Sequence, residues 1–317
     1  LYKPNILFTF QFGAENMHKV AELGYEVTYL PEETLTSAAL SLSYEIMVCY
    51  NPFKRIDITA LPSLRLIQLV SKGINHVPRE VIEAGNIQIT NNANSTSIPI
   101  AELIISYLLQ IYKQAPLFYS QKQEKRWAPN RDILEVYGKT IGFLGTGNIA
   151  TQAAKRLKAF DAIILGVNRT GQNPKEHFDK VYSIQALEEF LPRCDVVVST
   201  LPDLPDTWHL LNERTLAFMK RGASLINVSR GSIIEEAALV AKLKEGYFCG
   251  VALDVFEKEP LSPDSPLWSF DNVIITPHNA LYSDLYDTRV FEMVYDNLKR
   301  YLNREPLLNL VDFEKGY

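Results

Sequence analysis

Twice along this chain, short apolar runs alternate with amphipathic segments, and the second series starts afresh after a long helical stretch. The first series is NILFT (5–9), YEVTYL (25–30), YEIMVCY (44–50), RLIQLV (65–70) and IQIT (87–90). From Lys139 onward the runs are TIGFLG, AIILGV, DVVVST, ASLINVS, FCGVALD and NVIITP, separated by helical patterns such as SIQALEEFL and EEAALVAKLKEG. Apolar runs too short for helices, each followed by a helical segment, predict parallel strands joined by crossovers. Two such series predict two α/β cores, which 317 residues are enough to fill. Residues 98–127 lie between them, apolar at helical spacing through IAELIISYLLQIY and broken by Pro116, and predict one or two long connecting helices. Asp284 to Leu302 reads as a further amphipathic helix after the last strand, placed to lead the chain back to the first core. The expected division is a domain of residues 1–99 and 281–317, with a second domain, 100–280, inserted into it.

Composition narrows the class. With 47% hydrophobic and 22% charged residues, the chain reads as a soluble globular protein. A formal charge of -5 lacks the broad basic surface of a nucleic-acid binder, and Lys122, Lys125 and Arg126 read as a solvated helix face. No apolar run reaches the ~18 residues a membrane span needs, and the first ten residues do not resemble a signal peptide. Cys49, Cys194 and Cys249 are far apart, without metal-ligand spacing, and are expected to be reduced core residues in a cytoplasmic protein. His18, His76, His177 and His209 are expected to be structural. Ser232 with Glu235 has capping-box spacing, and Gly246 follows that helix as a stop.

GFLGTGNIA (142–150) carries Gly145, Gly147 and Ala150 as a GxGxxA, entered from a strand and leaving into a helix. The first glycine permits the turn, the second lets backbone approach a pyrophosphate, and the third small residue allows close packing. Helix N-terminal amides, those of Asn148 and Ile149 leading, then face the anion. At the end of the next strand, GVNRTG (166–171) places Asn168 where an acid would take hydrogen bonds from an adenosine ribose. With Arg169 and Thr170 beside it, the same place becomes an anion site suited to a 2′-phosphate. That predicts NADP(H) in preference to NAD(H), with NAD(H) still accepted.

INVSRGSIIEE (226–236), GVALDVFEKEPLSPDSPLW (250–268) and VIITPHNALYS (273–283) each follow a predicted strand. Together with the glycine loop they closely resemble the D-isomer-specific 2-hydroxyacid dehydrogenases. The likeness extends to SKGINHVP (71–78), IPIAE (98–102) and LPDLPDTWHL (201–210). The resemblance implies a Rossmann dinucleotide-binding domain inserted into a flavodoxin-like substrate domain. It also implies that Arg230 binds the substrate carboxylate and carbonyl, that His278 is the acid/base, and that Glu259 is its acidic partner. Asp254 resembles the residue that orients the nicotinamide carboxamide. Gly73 and Ile74 match the loop whose amides receive the substrate carboxylate, and Lys72 precedes them as a further candidate substrate contact. Leu201, Pro202, Thr207, Val228 and Ser229 fall with Arg230 and His278 among the expected cofactor contacts.

Reducing a 2-oxo acid gathers negative charge on the carbonyl oxygen, so a proton donor and a fixed cation must stand beside it. A carboxylate beside an imidazole favours its protonated form, and a guanidinium offers a planar fork to a carboxylate. Lys72 departs from the small residue common in the family and resembles phosphite dehydrogenase, a relative in the same superfamily. Formate dehydrogenases of the superfamily carry Gln where Glu259 stands, which disfavours that reading. The expectation is a reductase of a small 2-oxo acid giving the (R)/D-2-hydroxy acid, built as a homodimer on the 98–127 helices, with no metal. The alternatives are a phosphite-oxidising enzyme and a non-catalytic NAD(P)H-sensing binding protein.

Overall fold

A computed structural model of the chain describes residues 3–74, 76–83, 87–93, 95–172 and 176–311. In chain order the strands are β1 (Asn5–Phe8), β2 (Glu26–Tyr29), β3 (Tyr44–Cys49), β4 (Leu66–Leu69), β5 (Gln88–Thr90), β6 (Thr140–Leu144), β7 (Ile163–Asn168), β8 (Lys180–Ser183), β9 (Val196–Ser199), β10 (Ser224–Asn227), β11 (Gly250–Leu253) and β12 (Val273–Ile275). The helices are α1 (Ala14–Glu22), α2 (Arg79–Glu83), α3 (Ser97–Tyr112), α4 (Ala115–Gln123), α5 (Asn148–Leu157), α6 (Leu187–Phe190), α7 (Glu213–Leu216), α8 (Glu236–Lys244) and α9 (Tyr286–Asn303). They fall into two compact units, Leu1–Thr96 with Ser283–Tyr317, and Ser97–Tyr282.

The first unit holds a parallel sheet in the order β2-β1-β3-β4-β5, the flavodoxin-like arrangement. Side chains alternate across it: Leu7, Met47 and Ile67 face one layer with Ile58, Leu64 and Val81, while Ile6, Phe8, Ile46 and Val48 face the other with Val20, Val290, Val294 and Leu298. Both faces being covered, β3 and β4 are predominantly apolar and almost wholly buried, each interrupted by one polar residue, Glu45 and Gln68, whereas the edge strand β2 is only half-buried. A buried polar knot ties α9 to this sheet. Gln68 Oε1 accepts from Thr90 Oγ1 at 2.8 Å and from Asn297 Nδ2 at 2.7 Å, and Asn297 Oδ1 accepts from the Leu308 amide at 2.8 Å. The segment beyond α9 then runs antiparallel to β5 through a bridge between Thr90 and Leu310, closing that sheet edge.

The second unit holds seven parallel strands in the order β12-β11-β10-β9-β6-β7-β8. The order in which successive strands are added reverses between β6 and β9, the switch point of a Rossmann fold, where ligands bind outside the strand ends. One face carries α3 and α5, with Ile104, Leu108, Ile111, Ala150, Ala153 and Ala154 against Phe143, Val198 and Ala252; Phe190, Leu239 and Leu243 cover the other. Ala150, fully buried, is the small third residue of the glycine motif, and it lets α5 pack closely in this core.

Three details differ from the sequence reading. The edge strand β8, KVYS, has too short an apolar signal to stand out. The long connecting segment breaks at Gln114, which is left-handed at φ 55, while Pro116 sits in the first turn of α4, where its missing N–H removes no helix bond. The Ser232/Glu235 capping box does not form. The parallel bridge from Leu211 to Ile234 and the bond from the Glu235 amide to Leu211 O at 2.9 Å keep the chain extended, so α8 starts only at Glu236. Gly246 does end that helix, at φ 57. The three cysteines are free, and burial pushes the Cys194 thiol up to about 12. Among the described residues no helix is long and apolar enough to cross a membrane.

The polar knot gives a stability test. Asn297→Leu leaves the Leu308 amide without its acceptor and takes a donor from Gln68 Oε1, so urea unfolding should show a loss of about 2–3 kcal/mol. A loss under about 0.5 kcal/mol, the level of a surface change, would mean the knot contributes nothing.

Candidate active site

All the candidate residues of the second unit lie where the parallel strands end. After β6 the chain turns at Gly145, whose φ of 94 belongs to glycine; a methyl group there would also come within 2.9 Å of Thr200 Oγ1. Gly147 precedes α5 without any side chain capping the helix, and the first helical bond runs from the Thr151 amide to Gly147 O at 2.9 Å. The amides of the opening turn therefore have no acceptor inside the helix. A methyl group on Gly147 would meet no protein atom within 4 Å, so the space over the helix start is open to a docked anion. The cradle suits the pyrophosphate of a dinucleotide. Thr200 Oγ1 donates to Leu144 O at 3.0 Å and so binds the end of β9 to that of β6. Beyond Leu201 and Pro202, Thr207 closes its own loop, donating to Pro202 O at 2.7 Å and accepting from the Leu204 amide at 2.9 Å.

At the end of β7, Asn168 uses its whole amide. Nδ2 donates to Thr146 Oγ1 at 3.0 Å and to Gln172 O at 2.9 Å, while Oδ1 accepts from the Thr170 and Gly171 amides at 3.1 and 2.7 Å. An aspartate could replace the acceptor but not the two donors. Arg169, next to it, is exposed and has no hydrogen bond or ion pair among the described residues. Thr170 is exposed as well.

After β10 a second asparagine organises the chain. Asn227 is 1% exposed; its Oδ1 accepts from the Ser229 amide and hydroxyl at 3.1 and 2.7 Å, and its Nδ2 donates to Arg230 O at 2.9 Å. Ser229 gives its only hydroxyl proton to Asn227, so Ser199 donates to Ser229 Oγ, at 2.7 Å. Val228 is buried and Arg230 half-buried; Arg230 Nη1 donates to Ser229 O at 2.6 Å, and no carboxylate pairs with the guanidinium among the described residues. Gly231 lies so close to the next loop that a methyl group on it would run into the Phe256 carbonyl. The turn carrying Arg230 is thus set directly against the backbone leading to Glu259.

Glu259 Oε1 accepts from the Phe256 amide at 3.1 Å, and Oε2 lies 2.8 Å from His278 Nδ1. A carboxylate partner places a proton on Nδ1 and leaves Nε2 as the ring nitrogen open to a reactant. His278 is left-handed, at φ 51, a conformation that costs a non-glycine residue on the order of 1 kcal/mol. The bonds around it hold the conformation. Its amide donates to Asp254 O at 2.8 Å; Asp254 Oδ1 accepts from the Asn279 amide at 2.8 Å and from Thr276 Oγ1, and Oδ2 from the Ala280 amide at 3.0 Å. Asp254, 1% exposed, thus anchors the turn that presents His278. Sequence reasoning missed Thr276, Asn227 and Ser199, because nothing in the pattern distinguishes a short polar residue that holds a turn from one that lines it.

Lys72, Gly73 and Ile74 follow β4 in the first unit. Ser71 Oγ donates to Gly73 O at 2.9 Å and Asn91 Nδ2 to Lys72 O at 3.0 Å, giving the loop a fixed backbone with Lys72 exposed. Nearby, His76 stacks on Tyr50 with ring centres 5.3 Å apart, and burial lowers its basicity. His18 pairs with Glu22 along α1, and His209 lies 2.8 Å from Glu257 Oε1 while stacking on Trp208. Among the described residues no group of His, Cys, Asp and Glu is arranged to hold a metal.

Comparison with known proteins agrees with this geometry. Residues 105–280 match the model of the D-isomer specific 2-hydroxyacid dehydrogenase, NAD binding domain. A glyoxylate reductase of Thermofilum pendens is 34% identical over 260 residues, covering 80% of this chain and 77% of its own. The crystal structure of a D-isomer specific 2-hydroxyacid dehydrogenase from Xanthobacter autotrophicus, in complex with NADPH and MES, superposes with a TM-score of 0.82 at 26% identity, over 100% of both chains. An NADPH-dependent glyoxylate/hydroxypyruvate reductase of Sinorhizobium meliloti, in complex with NADP and sulfate, gives 0.80 at 26% identity over 99% of this chain and 100% of its own. With its glycine cradle and its histidine–glutamate pair at the ends of one parallel sheet, the chain belongs to the D-isomer specific 2-hydroxyacid dehydrogenase family.

Proposed function

We propose that this chain reduces a small 2-oxo acid to the (R)/D-2-hydroxy acid with NADPH as the preferred cofactor and NADH accepted, glyoxylate and hydroxypyruvate being the leading substrates. The observation that carries the reading is the Glu259–His278 pair, held beyond strands of the same parallel sheet whose β6 leads into the glycine cradle. The second unit serves as the dinucleotide domain and the first, through Lys72, Gly73 and Ile74, as the substrate domain. Gly145, Gly147, Asn148 and Ile149 would hold the pyrophosphate, and the loops at 168–170, 201–207 and 228–230 would flank the rest of the cofactor. When bound, the reduced nicotinamide supplies the hydride for C2 of the substrate. Arg230, which has no carboxylate partner among the described residues, pairs with the substrate carboxylate and carbonyl oxygen. As charge gathers on that oxygen, His278 delivers a proton to it from Nε2, while the hydrogen on Nδ1 stays there, donated to Glu259, and fixes the ring. In the reverse direction the same nitrogen takes the proton back.

The cofactor preference rests on the 168–170 loop. Asn168 puts no carboxylate against a 2′-phosphate, and Arg169 stands beside it with no ion pair among the described residues. NADPH and NADP in the two solved relatives support it. A homodimer built on α3 and α4 accounts for large aromatic side chains left at the surface of this region, Tyr119 at 64% and Trp127 at 98% exposure. Reduced cysteines fit a cytoplasmic location.

Purified protein should oxidise NADPH with at least one member of a 2-oxo acid panel, and His278→Ala should lower that turnover by about 10²–10⁴-fold. No turnover on a broad panel with either cofactor would end the enzyme reading. Arg169→Ala should weaken NADPH about 10–100-fold, the value of a charge-assisted hydrogen bond, and NADH less than about two-fold. Equal losses for the two cofactors would show that Arg169 does not hold the 2′-phosphate. Sedimentation at micromolar concentration should give twice the monomer mass; a monomer there would refute the assembly.

A further inference from the structure

The helix α3 turns an almost wholly apolar face to the core of the second unit: Ile100, Ala101, Ile104, Leu108 and Ile111 are all buried. Tyr107 shares that face at 1% exposure and brings a phenol into it below the solvent. A buried phenol needs a hydrogen-bond partner, and the partner here is Thr276 Oγ1, two residues before His278. Thr276 Oγ1 is in turn bonded to Asp254 Oδ1. The direction of this chain follows from counting protons. A carboxylate only accepts, so the single Thr276 hydroxyl proton goes to Asp254, and Tyr107 must then be the donor to Thr276. Burial raises the Tyr107 phenol above its usual range, so it stays protonated and remains a donor.

We propose that Tyr107 is a positioning residue for the turn that carries His278, acting through Thr276 and Asp254. The Asp254 carboxylate also receives the Asn279 and Ala280 amides at 2.8 and 3.0 Å, and its carbonyl receives the His278 amide at 2.8 Å. The side chain that organises residues 278–280 is therefore itself oriented from α3. Tyr107 orients Thr276; Thr276 occupies one side of Oδ1; and the Asn279 amide takes another. The left-handed backbone at His278 is flanked by bonds that converge on Asp254, through its carbonyl for the His278 amide and its carboxylate for Thr276, Asn279 and Ala280, and Tyr107 is the end of the chain remote from the ring. It touches no reactant. Its effect on turnover rests on the reading of His278 as the proton donor, whereas its effect on the turn does not.

The test separates the two. Hydrogen exchange on the full-length protein, with no ligand added, should show the amides of 278–280 in Tyr107→Phe exchanging about ten-fold faster than in the wild type. The amides of β6 and β9 should keep their protection, since phenylalanine retains the packing of the ring. Thr276→Val should loosen the same amides, Thr276→Ser should restore them, and the Tyr107→Phe/Thr276→Val double variant should be no looser than Thr276→Val alone. With a 2-oxo acid and NADPH, Tyr107→Phe should lower kcat about ten-fold and leave the KM for the 2-oxo acid within about two-fold. Unchanged exchange at 278–280 would overturn the proposal, as would uniform loosening of the whole unit or independent, multiplying effects in the double variant. Should Tyr107→Phe fail to fold, Thr276→Val decides, because unchanged exchange there also breaks the chain. A wild type without turnover on any 2-oxo acid would remove the functional reading and leave the exchange result to judge the positioning.

Discussion

A carboxylate buried at the end of a β-strand must be satisfied by hydrogen bonds, and Asp254 meets that requirement with the turn that carries His278. At 1% exposure its charge has almost no water to rely on, and an unpaired charge at that depth would cost several kcal/mol. Two backbone amides and one hydroxyl supply the donors, all from residues 276–280. The desolvation penalty that makes the group expensive also makes the arrangement rigid, because any departure of the turn exposes the charge to a low-dielectric surrounding. Glu259 then needs to fix only the ring of His278, its backbone being already determined. The half-exposed histidine thus owes the setting of its backbone to a carboxylate that never reaches the surface.

The same division of labour recurs around the sheet edge. Asn168, Asn227 and Thr207 have their polar atoms committed to their own loops, two of them through both faces of an amide. Next to the two asparagines in sequence, or within three residues, stand Arg169 and Arg230, neither paired with a carboxylate among the described residues. Neutral side chains hold the loops while the cations are left for anions. This matters for electrostatics, since an arginine engaged in an internal ion pair would offer a phosphate or carboxylate little net attraction. Gly231 adds a steric element to the scheme: the loop after Arg230 touches backbone of the loop before Glu259, so the two strand ends keep their separation through main chain and not through flexible side chains.

Much of this was legible in the sequence, and the parts that were not have a common cause. The parallel strands stood out because, covered on both faces, they are continuous apolar runs; only β8, a half-buried edge strand of four residues, escaped. The glycine motif stood out by its strand-turn-helix context, and the SRG, ALD and TPH strings by their joint resemblance to the D-isomer-specific 2-hydroxyacid dehydrogenases. The capping box at Ser232 misled because the local pattern was right and the tertiary context was not: pairing of Ile234 with Leu211 held the chain extended past the cap. Tyr107 and Thr276 were invisible for a similar reason. On α3 a tyrosine fits the apolar period as well as a leucine does, and 169 residues separate it from its partner, so only the folded sheet brings the hydroxyls together.

Position 168 shows how far a motif reading reaches and where geometry has to complete it. From the sequence, asparagine there matters for what it lacks, a negative charge against a 2′-phosphate. In the folded loop it matters for what it supplies, since its amide hydrogens reach Thr146 Oγ1 and Gln172 O and its oxygen collects two main-chain amides. The two roles are inseparable. A carboxylate would introduce the repulsive charge and at the same time leave Gln172 O without its donor and loosen the contact to Thr146, inside the glycine motif. On the proposed reading, cofactor choice is coupled to the shape of the loop that also presents Arg169, whose backbone the asparagine beside it holds.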